Sequence, residues 1–238
     1  MHESSVLPRV EPVGAVPDDP RFLVLVLHGG RAHSRESGER KRLTYRRMVP
    51  FARMLARRGN DAGLAVFMLR YRHRGWNAPA RDAQHDAEQV LCELAGRYPG
   101  VPVVLVGHSM GGRAALGAAG EPNVVAVCAL APWLDGSDPV QQLAGRTVLI
   151  AHGDRERWTD PRESYAYAVR AKPVTDRIAR FDVHGAGHFM LSRASDWQSL
   201  VRRFVLGVTE IEPEDPEIAN ALAQPAPGGL HVELSAAH

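Results

Sequence analysis

The chain has 238 residues, 45% of them hydrophobic and 24% charged, which suits one medium α/β domain with a sizeable core. A formal net charge of only +2 does not argue for nucleic-acid or membrane binding, and neither partner is expected. No run reaches the roughly 20 apolar residues of a membrane span, and the start, with Glu3, Glu11, Asp18 and Asp19, has no basic-then-apolar leader pattern. A cytoplasmic protein is expected. Its positive charge is nearly all arginine, with lysine only at Lys41 and Lys172, as in GC-rich bacterial coding.

Residues 1–20 read as an N-terminal extension and residues 21–208 as the domain. Within the domain, short apolar runs alternate with helix-period segments, the pattern of a parallel sheet covered by helices. Phe22–Leu27 is a buried strand. Arg31–Arg47 is a polar, basic loop with a solvated face. Tyr45–Arg58 is a helix with Met48, Phe51, Met54 and Leu55 on one side, stopped by Gly59 and Asn60. Leu64–Tyr71 is a strand. Pro79–Tyr98 holds a helix whose Ala83, Ala87, Val90, Leu91 and Leu94 face a core. Strand Val101–Val106, a helix from Met110 to Ala119, and strands Val124–Leu130 and Arg146–Ala151 follow. A helix at Pro161–Val169, a weaker strand at Arg177–Asp182 and a helix at Ala194–Leu206 close the domain. The tail, 209–238, is acidic, then rich in Ala, Pro and Gly, and is expected to lack a stable fold of its own. Cys92 and Cys128 sit in no metal-ligand or redox spacing and read as two buried free thiols.

The strongest chemical signal is Gly107-His108-Ser109-Met110-Gly111, which leaves an apolar strand and opens a helix. Such a turn lifts a serine hydroxyl above the sheet. The residues two before and two after the serine crowd together, so both must be small. The helix N-terminus then points free N–H groups at the reaction centre, and the Met110 N–H is one candidate oxyanion donor. A bland alternative is a glycine-rich turn with an incidental serine. A phosphate-binding loop fits less well, because neither the G-x-x-x-x-G-K-[ST] pattern nor a first-strand G-x-G-x-x-G is present.

A serine alcohol needs a base, and this motif carries its partners in the order serine, acid, histidine. His188, in the glycine-rich loop Gly185-Ala186-Gly187-His188, is the base candidate; His184 is its rival. The acid falls in His152-Gly153-Asp154-Arg155-Glu156, where Glu156 leads and Asp154 is the alternative. Asp160, before Pro161, reads as a helix N-cap. His28-Gly29-Gly30 follows the first strand, and the Gly30 N–H is the second candidate oxyanion donor. Trp76, Trp133, Trp158 and Phe189 lie in loops at strand ends and are candidate substrate-binding residues, although each could equally pack under its own loop. Arg72 and Arg74 flank the same region as candidate contacts for an anionic substrate.

With HGG at 28–30, GHSMGG at 107–112, HGDRE at 152–156 and GAGHFM at 185–190, the sequence resembles the α/β-hydrolase superfamily over about Phe22 to Val208. The resemblance implies a three-layer α/β-hydrolase fold: a mostly parallel sheet of about six to eight strands flanked by helices, with the reacting groups at the strand C-termini. Two features depart from the usual pattern. Glutamate stands where aspartate is commoner. Only Ala131 to Gly145 separate two strands that often bracket a lid, so no large cap domain is expected, as in small lidless, dienelactone-hydrolase-like esterases. One or two initial strands are missing unless residues 4–16 supply one.

The expected function is a serine hydrolase that cleaves carboxylic esters through an acyl-serine intermediate, with a small-molecule ester or acyl substrate and no metal or organic cofactor. A thioesterase, acyltransferase, cyclase or peptidase would use the same residues. A non-catalytic binding protein on the same fold is the reading from another class. A nucleic-acid binder using the Arg31–Arg74 stretch would show strongly salt-dependent binding.

Overall fold

The computed structural model describes residues 7–37 and 42–236. The ends of the expected N-terminal extension and tail, and part of the basic loop, lie outside the described residues. Eight strands form one sheet in the order β1-β3-β2-β4-β5-β6-β7-β8. They are β1 (Arg9–Pro12), β2 (Phe22–Leu27), β3 (Leu64–Arg70), β4 (Val103–His108), β5 (Val124–Leu130), β6 (Thr147–Gly153), β7 (Ile178–Val183) and β8 (Val232–Glu233). Every neighbouring pair is parallel except β1 with β3.

Parallel strands covered on both faces read as unbroken apolar runs, and β2, β4 and β6 are buried along almost their whole length. Successive side chains still point to opposite faces. Leu23, Leu25 and Leu27 enter one core, while Val24 and Val26 enter the other. The first core is closed by α2 (Asp82–Arg97), α3 (Met110–Gly117) and α4 (Pro161–Ala171). The second is closed by α1 (Leu43–Gly59), α5 (Ala194–Val208) and α6 (Pro216–Ala223). The result is the three-layer arrangement expected from the sequence. Between β5 and β6 only one short helical turn, Gln141–Leu143, intervenes, so no cap domain covers the strand ends. Among the described residues no helix is long and apolar enough to cross a membrane.

Residues 9–12, inside the 4–16 stretch that could supply an initial strand, form an edge strand, with Val10 opposite Leu69. Two expectations are corrected. The tail is folded onto the sheet. Asp215 caps α6 by accepting the Ile218 N–H, and Arg203 of α5 holds both Asp215 and Glu217 at 2.8 Å. Ile218, Leu222 and Leu230 are buried, and β8 extends the sheet beyond β7. Composition counts the acidic residues but not their arginine partners on α5, which is why the segment reads as solvated. Finally, Cys92 is exposed, not buried. Its neighbour Leu91 faces the core, and one residue of helix turns the next side chain about 100° away.

Candidate active site

Ser109 lies between the end of β4 and the start of α3, with φ 57° and ψ −120°. That conformation is strained for a residue with a Cβ, and the surroundings hold it. The Ser109 N–H donates to the Leu130 carbonyl at 3.0 Å, and the Ser109 carbonyl accepts from Trp133 and Arg113, each at 3.1 Å. The turn closes only because Gly107 has no side chain: a Cβ there would stand 2.2 Å from the Gly111 oxygen. The crowding inferred from the motif is therefore present in the backbone.

Three side chains from separate loops meet at this turn. The Ser109 hydroxyl lies 3.0 Å from His188 Nε2. On the other side of the ring, His188 Nδ1 donates to Glu156 Oε2 at 2.8 Å. The remaining Glu156 oxygen accepts the N–H groups of Arg157 and Trp158, both at 2.7 Å. The Glu156 side chain is 0% exposed. Burial alone would raise its pKa, but the hydrogen bond from His188 and the two backbone donors outweigh burial and bring it down to about 2. A carboxylate held ionised in this way keeps the His188 proton on Nδ1 and leaves Nε2 free to accept from Ser109.

The rival residues are engaged elsewhere. Asp154 accepts the Gly185 N–H at 2.7 Å and pairs with His184, itself 78% exposed, so the two brace the loop that carries His188. Asp160 caps α4 by accepting the Arg162 N–H. The turn His28-Gly29-Gly30 passes directly over the elbow. A Cβ on Gly30 would stand 2.3 Å from the Arg74 carbonyl oxygen, so only glycine lets this turn pass so close to the neighbouring backbone, with the Met110 side chain against its other side. Met110 opens α3, where the first N–H groups of a helix have no intrahelical acceptor.

The four candidate aromatic residues divide into two pairs. Trp76 and Trp133, set edge to face with one another, both lie against the Arg113 guanidinium, their ring centres 4.5 and 4.9 Å from its central carbon, and Arg113 is further tied to Asp135 and Asp138 at 2.6 Å. Trp76 is only 3% exposed, so it packs under its loop. Trp158 and Phe189 instead flank His188, with ring centres 6.5 and 5.6 Å away, and both are exposed. Arg72 and Arg74 are occupied by carboxylates of their own: Arg72 by Asp86 and Arg74 by Glu36. A hollow of about 550 Å³ near Thr147, Arg177 and Glu214 lies at the opposite end of the strands from Ser109.

Sequence reasoning passed over His108, although it sits inside the motif. Its Nε2 donates to the His188 carbonyl at 2.8 Å, tying the histidine loop to the serine turn. Burial, and then the His188 charge, push its pKa down to about 3. Burial likewise lowers His28 to about 4 and, with the Arg180 charge, His152 to about 3. These histidines are neutral when folded and take protons near pH 6.5 when unfolded, so stability is complete above that pH and drains as pH falls towards their folded values. Glu156 adds a loss of the same sign below its ordinary 4.5. The unfolding temperature is therefore expected to be level above about pH 7 and to drop steeply between about pH 6 and pH 4. Calorimetry across that range checks this, and a flat profile would refute it. His28→Asn is expected to reduce the slope.

The alpha/beta hydrolase family model matches residues 23–238. No curated protein matches the sequence. Among solved structures, an alpha-beta serine hydrolase homologue from Coxiella burnetii superposes with a TM-score of 0.63 at 17% identity, over 83% of this chain and 91% of that one. Est1E from Butyrivibrio proteoclasticus gives 0.63 at 15% identity, over 86% and 94%. A serine hydrolase without a lid from Xanthomonas campestris gives 0.58 at 22% identity, over 88% and 90%. At these identities the likeness is one of fold.

Proposed function

This chain belongs to the alpha/beta hydrolase family, and on that footing we propose that it is a serine hydrolase cleaving carboxylic esters through an acyl-serine intermediate. The observation that carries the proposal is the continuous hydrogen-bonded chain from Ser109 through His188 to Glu156, at 3.0 and 2.8 Å. Ser109 Oγ attacks the ester carbonyl carbon while His188 Nε2 takes its proton. Glu156 stabilises the imidazolium, and the Met110 and Gly30 N–H groups receive the negative charge that develops on the carbonyl oxygen. His188 then returns the proton to the leaving alcohol oxygen as the C–O bond breaks. Water, deprotonated by the same histidine, releases the acid and restores Ser109.

The open strand ends favour a substrate that enters without displacing a lid. A fluorophosphonate probe is expected to modify the protein once, on Ser109, as located by peptide mass spectrometry. A folded protein left unmodified at Ser109 would overturn the proposal and favour a binding role for the fold.

A further inference from the structure

Arg47 of α1 stands one side chain away from His188. Its guanidinium carbon lies 4.5 Å from the centre of the Phe189 ring, and that ring is 5.6 Å from the His188 ring. Arg47 is half-buried, yet among the described residues no carboxylate and no hydrogen-bond acceptor meets its guanidinium. Arg72, Arg113, Arg180 and Arg203, also of restricted exposure, are each paired with an acid, Asp86, Asp138, Asp182 and Asp215 in turn, and Arg146 donates to the Ala119 and Glu121 carbonyls. Burial draws the Arg47 guanidinium below its ordinary pKa, the mark of a cation partly stripped of water without an anion in return.

Arg47 lines a groove of about 430 Å³ between α1 and the segment after His188. Leu43, Arg46, Phe189, Leu191 and Gln198 share the lining, and among the described residues no acidic side chain does. Leu43 and Leu191 are 73% and 77% exposed. The groove thus combines apolar walls with two cations, and its Phe189 wall separates it from His188, the histidine that hands a proton to the departing alcohol.

We propose that this groove receives the alcohol part of the ester, and that this alcohol is an apolar ring or chain bearing a carboxylate, which Arg47 holds with Arg46 in support. The inference rests on the serine-hydrolase reading. It assigns the groove to the leaving group because His188 must reach the leaving oxygen, so that part of the substrate faces His188 and its flanking Phe189. The planar guanidinium matches a carboxylate through two parallel hydrogen bonds.

The test compares 4-carboxyphenyl butanoate with its neutral counterpart, 4-(methoxycarbonyl)phenyl butanoate, in wild type, Arg47→Gln and Arg47→Lys. The ratio of the two kcat/KM values, compared between proteins, cancels the intrinsic reactivity of the esters. Arg47→Gln is expected to lower the charged-to-neutral ratio about 10-fold or more, mainly through KM. Arg47→Lys is expected to retain part of it, and added salt to reduce it in wild type. A ratio unchanged by Arg47→Gln overturns the inference. Should neither ester turn over while the fluorophosphonate still modifies Ser109, protection by 4-hydroxybenzoate takes its place. Stronger protection in wild type than in Arg47→Gln supports the inference, and equal protection overturns it. Absence of Ser109 labelling overturns the serine-hydrolase reading and this inference with it.

Discussion

Ser109→Ala is expected to lower kcat/KM for a neutral aryl ester by about 10⁴-fold or more while leaving the protein folded. The side chain removed is one oxygen, whose hydrogen bond in the structure is to His188 Nε2. The backbone bonds that hold the turn, from Ser109 N–H to Leu130 and from Trp133 and Arg113 to the Ser109 carbonyl, do not involve that oxygen. The unfolding temperature is therefore expected to shift by no more than a few degrees. The burst of alcohol release that accompanies acyl-enzyme formation is expected to disappear. Substantial turnover by a folded Ser109→Ala protein would mean that His188 activates water directly, and the acyl-serine intermediate would have to be abandoned.

Glu156→Gln carries the second large effect, an expected loss in kcat of about 10²- to 10⁴-fold with KM little changed. The amide nearly preserves the shape of the carboxylate but not its hydrogen-bonding sense. One Glu156 oxygen already accepts from Arg157 and Trp158. A glutamine that keeps its oxygen on those two donors must turn its NH₂ towards His188. That favours the tautomer with the proton on Nε2, which cannot accept from Ser109. The buried imidazolium also loses its counter-charge. Because Glu156 titrates at about 2, it is ionised across the neutral and mildly acidic range and sets no limb of the activity profile there. Steady-state kinetics of this variant, alongside Asp154→Asn, separates the two candidate acids. Asp154→Asn is expected to stay within about 10-fold of wild type, since Asp154 bonds Gly185 and His184 rather than the His188 imidazole. The reverse ranking would move the acid role to Asp154.

The strands and helices were legible because their signals are local. A run such as Phe22–Leu27 is apolar throughout because both of its faces are covered, and the chain records that directly. The serine turn was legible for the same reason: its small-residue requirement acts between Gly107 and Gly111, four positions apart. The order of nucleophile, acid and base could also be read, because each follows a recognisable strand. Composition misled at the tail, where acidic residues that look solvated are paired with Arg203 and cap α6.

Glu156 and Asp154 are two residues apart, and both are acids at the end of one strand. No local rule separates them. The choice rests on which oxygen meets His188 Nδ1, a contact across 32 positions that depends on how the β6 and β7 loops converge. The arginines follow the same logic. Arg72 and Arg74 look available in the sequence and are occupied, whereas Arg47, at the end of a stretch that reads as a solvated loop, lies against Phe189 and meets no acid among the described residues. The layered sheet, the turn at Ser109 and the loops that carry Glu156 and His188 follow from the residue order, because short-range sterics and periodic burial govern those. Which acid and which aromatic rings meet His188, and which arginine meets Phe189, emerges in the folded molecule, because electrostatic pairing acts through space between residues that the chain keeps far apart.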